Sequence, residues 1–269
     1  MKNLFFTIAM SVVGYTSFSA IPNQSNKKME TIVLVHGAWA DVSSWDAVIP
    51  LLKAQGHEVI AVNLAGHGSD TTSFATITFR TYVDQVKAAI GTRTHVVLVG
   101  HSFGGLVISQ VAEEIPTQIK ELVFVAAALP HDGDDLLSLA KQDPASHVGK
   151  YLSIDQAHGA AIIAKEGAAD IFAADAPQQV QDYIAANLKP EPLAPLATPV
   201  HLTEGNFGSI RKVYIHTLND HCISYPAQQA MVKSGKVAKV YSLPSSHTPF
   251  ISMPDKLAEI ILTESKSLR

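Results

Sequence analysis

The stretch Val97 to Gly105, VLVGHSFGG, constrains this chain most tightly, because an apolar run ends on Gly100-His101-Ser102-Phe103-Gly104. A serine flanked two residues away on each side by glycine reads as a nucleophile elbow. The serine occupies a sharp strand-to-helix turn in a strained conformation, and bulky side chains do not fit two positions before or after it. The flanks agree. Thr94 to Val99 is β-branched and apolar, as a buried parallel strand requires, and Leu106 to Ile115 is an apolar-periodic helix stopped by Pro116.

A serine hydroxyl is a weak nucleophile at neutral pH, so the chain must also supply a base, an acid that orients it, and an oxyanion hole. Behind such an elbow the partners follow in the order Ser, Asp or Glu, His. Lys212 to Thr217 reads as a strand ending in the turn Leu218-Asn219-Asp220-His221. Val237 to Leu243 reads as a last strand, leading to a loop with His247 and a helix from Pro254. Ser102, Asp220 and His247 therefore form the expected triad. Asp132, Asp134 and Asp135, after the apolar strand Glu121 to Ala127, are the alternative source of the acid. The oxyanion hole falls on the backbone N–H of Phe103 and on that of Ala38, in the bend His36-Gly37-Ala38-Trp39 after the strand Thr31 to Val35. His36 and His101 read as loop-holding residues, and Cys222 as a small buried filler. A histidine base predicts loss of activity below about pH 6.5.

The chain has 269 residues, 47% hydrophobic and 16% charged, with a formal net charge of −4, which suits one α/β core carrying an insertion. Lys and Arg are neither in excess nor clustered, so nucleic acid is not an expected partner. Residues 1–20 read as a signal peptide: a cationic start, the apolar run Leu4 to Val13, and small residues at Ser17 to Ala20. That run falls short of the ~20 residues a membrane span requires, so no stable membrane anchor is expected. Residues 21–30 form a polar lead-in. The core follows over 31–128 and resumes over 209–269. About six mostly parallel strands are expected, because strands and helices alternate: helix Trp45 to Gly56, strand Glu58 to Leu64, helix Phe79 to Ile90. Between them, 129–208 is rich in Pro and carries Ala-rich helical pieces at Gly159 to Ala169 and Gln178 to Leu188. This stretch reads as a helical cap over the catalytic side. Its Ala160, Ala161, Ile162, Ile163, Ile171 and Phe172 are compatible with apolar substrates and equally with simple packing. No cofactor is implied, and no His, Cys and carboxylate set stands at metal-ligand spacing.

Taken together, His36-Gly37-Ala38-Trp39, the GHSFGG elbow, the segment Phe207 to Ile215, Asp220 and Ser246-His247 resemble the α/β-hydrolases of the plant methylesterase and hydroxynitrile lyase type, with their bacterial esterase relatives. The resemblance spans nearly all of the chain after the signal and is weakest in the cap. It implies an α/β-hydrolase fold, the triad Ser102, Asp220 and His247, and the Ala38 and Phe103 oxyanion hole. The hydroxynitrile lyases carry a Thr where this chain has Gly37 and a Lys where it has Thr248. Those departures favour ester hydrolysis over cyanohydrin cleavage. The expected activity is a secreted serine hydrolase acting on carboxylic esters of small to medium apolar molecules through an acyl-enzyme. Lactone, amide or carbon–carbon bond hydrolysis by the same triad, or ligand binding with negligible turnover, are the alternatives.

Overall fold

The computed structural model describes residues 29–267; the signal-type segment and most of the polar lead-in lie outside the described residues. Chain order begins β1 (Thr31–Val35), α1 (Ile49–Lys53), β2 (Glu58–Val62), α2 (Phe79–Ile90), β3 (Val96–His101), α3 (Gly104–Glu114) and β4 (Ile119–Val125). A long excursion follows: α4 (Leu136–Lys141), α5 (Val148–Tyr151), β5 (Leu152–Asp155), β6 (Ala160–Ile163), α6 (Ala168–Phe172), α7 (Gln178–Asn187), β7 (Glu191–Pro192) and α8 (Leu193–Leu196). The chain then returns through β8 (Arg211–Thr217), α9 (Tyr225–Ser234), β9 (Lys239–Leu243), α10 (Pro249–Ser252) and α11 (Pro254–Ser267).

The main sheet has six strands in the order β2-β1-β3-β4-β8-β9, every pair parallel. The chain steps outward from β1 to β2, then crosses back to β3. This switch places the ends of β1 and β3 side by side, where open α/β sheets bind ligands. Alternation along each strand divides the core. Val33, Val35, Leu98 and Phe124 face α2 and α3, while Ile32, Leu34, Val97, Val99 and Ile215 face Trp45 and the α11 residues Leu257 and Ile261. Each fully buried aliphatic side chain contributes about 1.5–3 kcal/mol.

Two expected helices are corrected. The helix expected over Trp45 to Gly56 is split: Trp45 closes a 3-10 turn, Val42–Trp45, capped by Asp41, and α1 begins only at Ile49. Pro50 explains the restart, because it lacks an N–H and fits only the first turn of a helix. The piece expected as helix over Gly159 to Ala169 instead opens with β6. This strand pairs antiparallel with β5 and β7, so the cap is a small sheet with helices around it. Asp155 takes up the His158 backbone N–H in the turn and Gly159 adopts φ +62°, which makes a hairpin; β-branched Ile162 and Ile163 suit its returning strand. Among the described residues no helix is long and apolar enough to cross a membrane.

The start of α3 lies unusually close to the chain leaving the central strand β4. A Cβ on Gly105 would stand 2.1 Å from the Ala128 carbonyl oxygen, whereas one on Gly149 in α5 would meet nothing within 4 Å. Gly105→Ala should therefore lower stability by about 1–3 kcal/mol through overpacking. Gly149→Ala should be neutral or mildly stabilising. Urea unfolding of the two variants checks this, and equal midpoints would mean that the close approach is not a constraint.

Candidate active site

Ser102 sits between β3 and α3 with φ +53°, in the left-handed region that a non-glycine residue rarely enters. Its backbone is tied on both sides: its N–H donates to Val125 O at 3.3 Å, and its carbonyl accepts from Gly105 N and Ala128 N, both at 3.0 Å. The flanking glycines are sterically required. A Cβ on Gly100 would come within 2.7 Å of Gly104 O, and one on Gly104 within 2.8 Å of the Val35 and His36 carbonyl oxygens. The strained serine of the elbow is thus held by surrounding backbone, in keeping with the sequence expectation.

The structure brings His247 and Asp220 together. The imidazole Nδ1 donates to Asp220 Oδ2 at 2.8 Å, and both side chains are buried. Asp220 is fixed from every side. Its Oδ1 accepts the backbone N–H of Cys222 (2.7 Å) and Ile223 (3.0 Å), and its Oδ2 also accepts Thr217 Oγ1 (2.7 Å) and Gln228 Nε2 (3.1 Å). With Nδ1 committed to the carboxylate, Nε2 of the neutral ring is free to take a proton. Among the described residues no hydrogen bond joins Ser102 Oγ to that ring; apo sites often close this bond only when substrate arrives. Burial acts to lower the His247 pKa, but the Asp220 carboxylate beside it outweighs burial and raises it above the ordinary imidazole value. If His247 acts as a base, this shift places the acid limb of the pH profile above the 6.5 expected from the sequence.

The alternative acids serve the backbone instead. Asp135 caps α4 through Ser138 N, Asp134 accepts His131 N, and Asp132 accepts Leu202 N. His36 and His101 hold loops, as expected. His36 Nε2 accepts Leu64 N–H, and burial, aided by nearby His67, lowers its pKa to about 3, so it stays neutral. His101 Nε2 donates to the carbonyl of His247 at 2.9 Å, which ties the elbow to the loop bearing the imidazole. Burial pushes the Cys222 thiol pKa up, which suits a packed thiol rather than a nucleophile.

Among the described residues neither Ala38 N–H nor Phe103 N–H donates to a protein acceptor, so both are available as oxyanion donors. The bend at Ala38 is gripped by residues that no sequence motif singles out. Glu191, fully buried on β7, accepts the Trp39 backbone N–H and bonds His67 Nε2, both at 2.7 Å, while Trp39 Nε1 donates to Ala161 O at 3.0 Å. Burial opposes charge on His67, yet Glu191 outweighs it and the His67 pKa is raised. Gly37 is required in this bend, since a Cβ there would lie 2.6 Å from Ser102 Cβ and 3.0 Å from His101 Nδ1.

Two recesses meet at the site. One, of about 280 Å³, is lined by Ser102, Leu129, Leu137, Ala161, Cys222 and Met231, and is largely apolar. The other, of about 1000 Å³, is lined by Ala38, Phe172, Tyr183, His247 and Thr248. Trp39 borders both. Of the apolar cap residues, Ala161 and Phe172 reach a recess; Ile163 and Ile171 pack inside the cap.

A model of the Alpha/beta hydrolase family matches residues 32–260. The chain belongs to that family. A pyrethroid hydrolase of Sphingobium wenxiniae is 31% identical over 241 residues, covering 86% of this chain and 85% of that protein. The crystal structure of a pyrethroid hydrolase from Sphingobium faniae JZ-2 superposes with a TM-score of 0.78 at 26% identity, covering 90% of this chain and 99% of that one. A chloroplastic protein of Arabidopsis thaliana named as a methylesterase is 31% identical over 254 residues, 87% of this chain. The chain spans only 56% of that relative's length.

Two outcomes follow. Asp220→Asn should cost kcat/KM about 10³-fold or more, against less than tenfold for Asp134→Asn, and should move the acid limb of the pH profile down toward 6.5. Kinetics from pH 5 to 9 check both, and the reverse ranking would relocate the acid. Glu191→Gln should lower kcat/KM by loosening the oxyanion bend. Because the folded-state pKa of His67 is raised, the pair stabilises the fold fully below the unfolded value of about 6.5, and that contribution fades as pH rises through the folded-state value. The Tm gap between the wild type and Glu191→Gln should therefore be largest near pH 6 and narrow at alkaline pH.

Proposed function

We propose that this protein is a serine hydrolase that cleaves carboxylic esters of small to medium apolar molecules. The observation that carries the reading is the Asp220-bound imidazole of His247 on a loop tied to the elbow of Ser102, beside two free N–H groups. Ser102 Oγ attacks the ester carbonyl carbon while His247 Nε2 takes the hydroxyl proton. Ala38 and Phe103 N–H hold the oxyanion, worth about 10²–10³ in rate for each donor. His247 gives its proton to the departing alkoxide, the alcohol leaves, and the acyl group stays on Ser102. Water attacks that acyl carbon, its proton passing through His247, and the carboxylic acid is released. The apolar recess at Ser102 takes one apolar portion of the ester and the wider recess at His247 the other.

The names of the similar proteins, a pyrethroid hydrolase and methylesterases, agree with ester cleavage. Gly37 and the bonding of Thr248 Oγ1 to Phe172 O at 2.6 Å suit this reaction better than cyanohydrin cleavage, since neither position offers the Thr and Lys of that chemistry. Export, read from residues 1–20, is part of the same proposal.

A chain-length series of p-nitrophenyl esters tests the reading. Wild type should turn over with a burst of p-nitrophenol, and Ser102→Ala should lose at least about 10³-fold in kcat. Undiminished hydrolysis by Ser102→Ala would overturn the mechanism. Labelling of Ser102 by a covalent serine probe without turnover of any ester, lactone or amide would favour a binding protein.

A further inference from the structure

Outside the active site, one cluster of side chains has the chemistry of a ligand set. His147, just before α5, and His221, next to Asp220, both turn Nδ1 toward the carboxylate of Asp170 in α6. The His147 distance is 2.8 Å to Oδ2 and the His221 distance 2.8 Å to Oδ1. One donor atom from each of the three residues lies within 4.8 Å of the other two. A tetrahedral zinc site with bonds of about 2.0–2.1 Å separates its ligand atoms by roughly 3.3 Å. The triangle is therefore near coordination size already. The side chains are 28%, 30% and 40% exposed for His147, Asp170 and His221, so an ion can enter and keep water on its open faces.

The arrangement is also prepared by backbone. His147 N–H donates to His221 O at 2.8 Å and Ser146 Oγ to Cys222 O at 2.7 Å, which lock the two histidine segments side by side with their rings 4.3 Å apart. Asp170 comes from a third segment, anchored by Ile171 and Phe172 in an apolar cluster that includes Cys222. The three residues are 23 and 51 positions apart, which is why no ligand motif appears in the sequence.

We propose that His147, Asp170 and His221 form a binding site for one divalent transition-metal cation, which fastens the cap to the loop that carries Asp220. Two imidazole nitrogens and one carboxylate suit Zn²⁺, Co²⁺ or Ni²⁺, whereas Mg²⁺ and Ca²⁺ prefer all-oxygen sets. Each imidazole ligates through Nδ1 as a neutral ring with its proton on Nε2, so that the ion converts a hydrogen-bonded contact into three coordinate bonds. The site is separate from the proposed hydrolysis and does not depend on it.

The test uses chelator-stripped protein titrated with Zn²⁺ against a chromophoric chelator, and with Co²⁺ followed by its visible absorption. Wild type should bind one equivalent, and His147→Gln or Asp170→Asn should weaken binding by about 100-fold or more. Zn²⁺ at a hundredfold excess over Kd should raise the wild-type Tm by about 5 °C, with much less effect on either variant. His147→Gln, at a side chain 28% exposed, should keep the metal-free Tm of wild type, so that lost binding is not lost folding. His247→Ala should bind as wild type does. Absence of stoichiometric binding, binding unchanged in both variants, or binding abolished by His247→Ala alone would each overturn the site.

Discussion

The close passage of α3 against the end of the sheet is the constraint on which the rest depends. Gly100, Gly104 and Gly105 let helix and strand ends approach to distances that no Cβ would tolerate, and Ser102 is left at φ +53° as a result. Strain of that kind costs of order 1–3 kcal/mol and persists only when the surroundings over-determine it. Here the surroundings are three backbone hydrogen bonds, from Ser102 N–H to Val125 O and from Gly105 and Ala128 N–H to Ser102 O. The serine is thereby placed by the most rigid part of the molecule. Its partners, on loops, must be brought to it.

Bringing them is the task of buried polar groups. Asp220 receives four protein hydrogen bonds besides that from His247, which fix the position of its carboxylate. Gln228 is central to this. Fully buried on α9, it donates to Asp220 and to Ile223 O and accepts Thr217 N–H, which clamps the β8 end to the turn after it. Leaving any of these groups unpaired would cost about 1–3 kcal/mol, so the network is held together by the penalty for breaking it.

The strands and the elbow were legible because they are local. β-branched runs, glycines at fixed offsets and the order of Ser102, Asp220 and His247 all lie in the sequence itself, and β1 and α2 have the expected limits. The misreadings were also local: Pro50 breaks a helix that apolar period alone would continue, and a turn at Gly159 converts an Ala-rich stretch into a hairpin. Glu191, His67 and Gln228 were illegible for another reason. Glu191 meets Trp39 across 152 positions, and a lone Glu near prolines carries no pattern that distinguishes a buried clamp from a solvated side chain.

The cap is therefore more than a cover. Several of its contacts with the core end on the loops that carry Ala38, Asp220 and His247. Glu191 and Ala161 grip Trp39, next to Ala38, the proposed oxyanion donor. Phe172 O takes Thr248 Oγ1 and Asp175 takes Ser246 N–H, on either side of His247. Asp143 takes Ser224 N–H and Oγ, just past Asp220. The cap therefore braces the segments of Ala38, His247 and Asp220 together, whereas Ser102 is held by the sheet. In the proposed mechanism Ser102 and His247 are where the part held by the sheet meets the part braced by the cap.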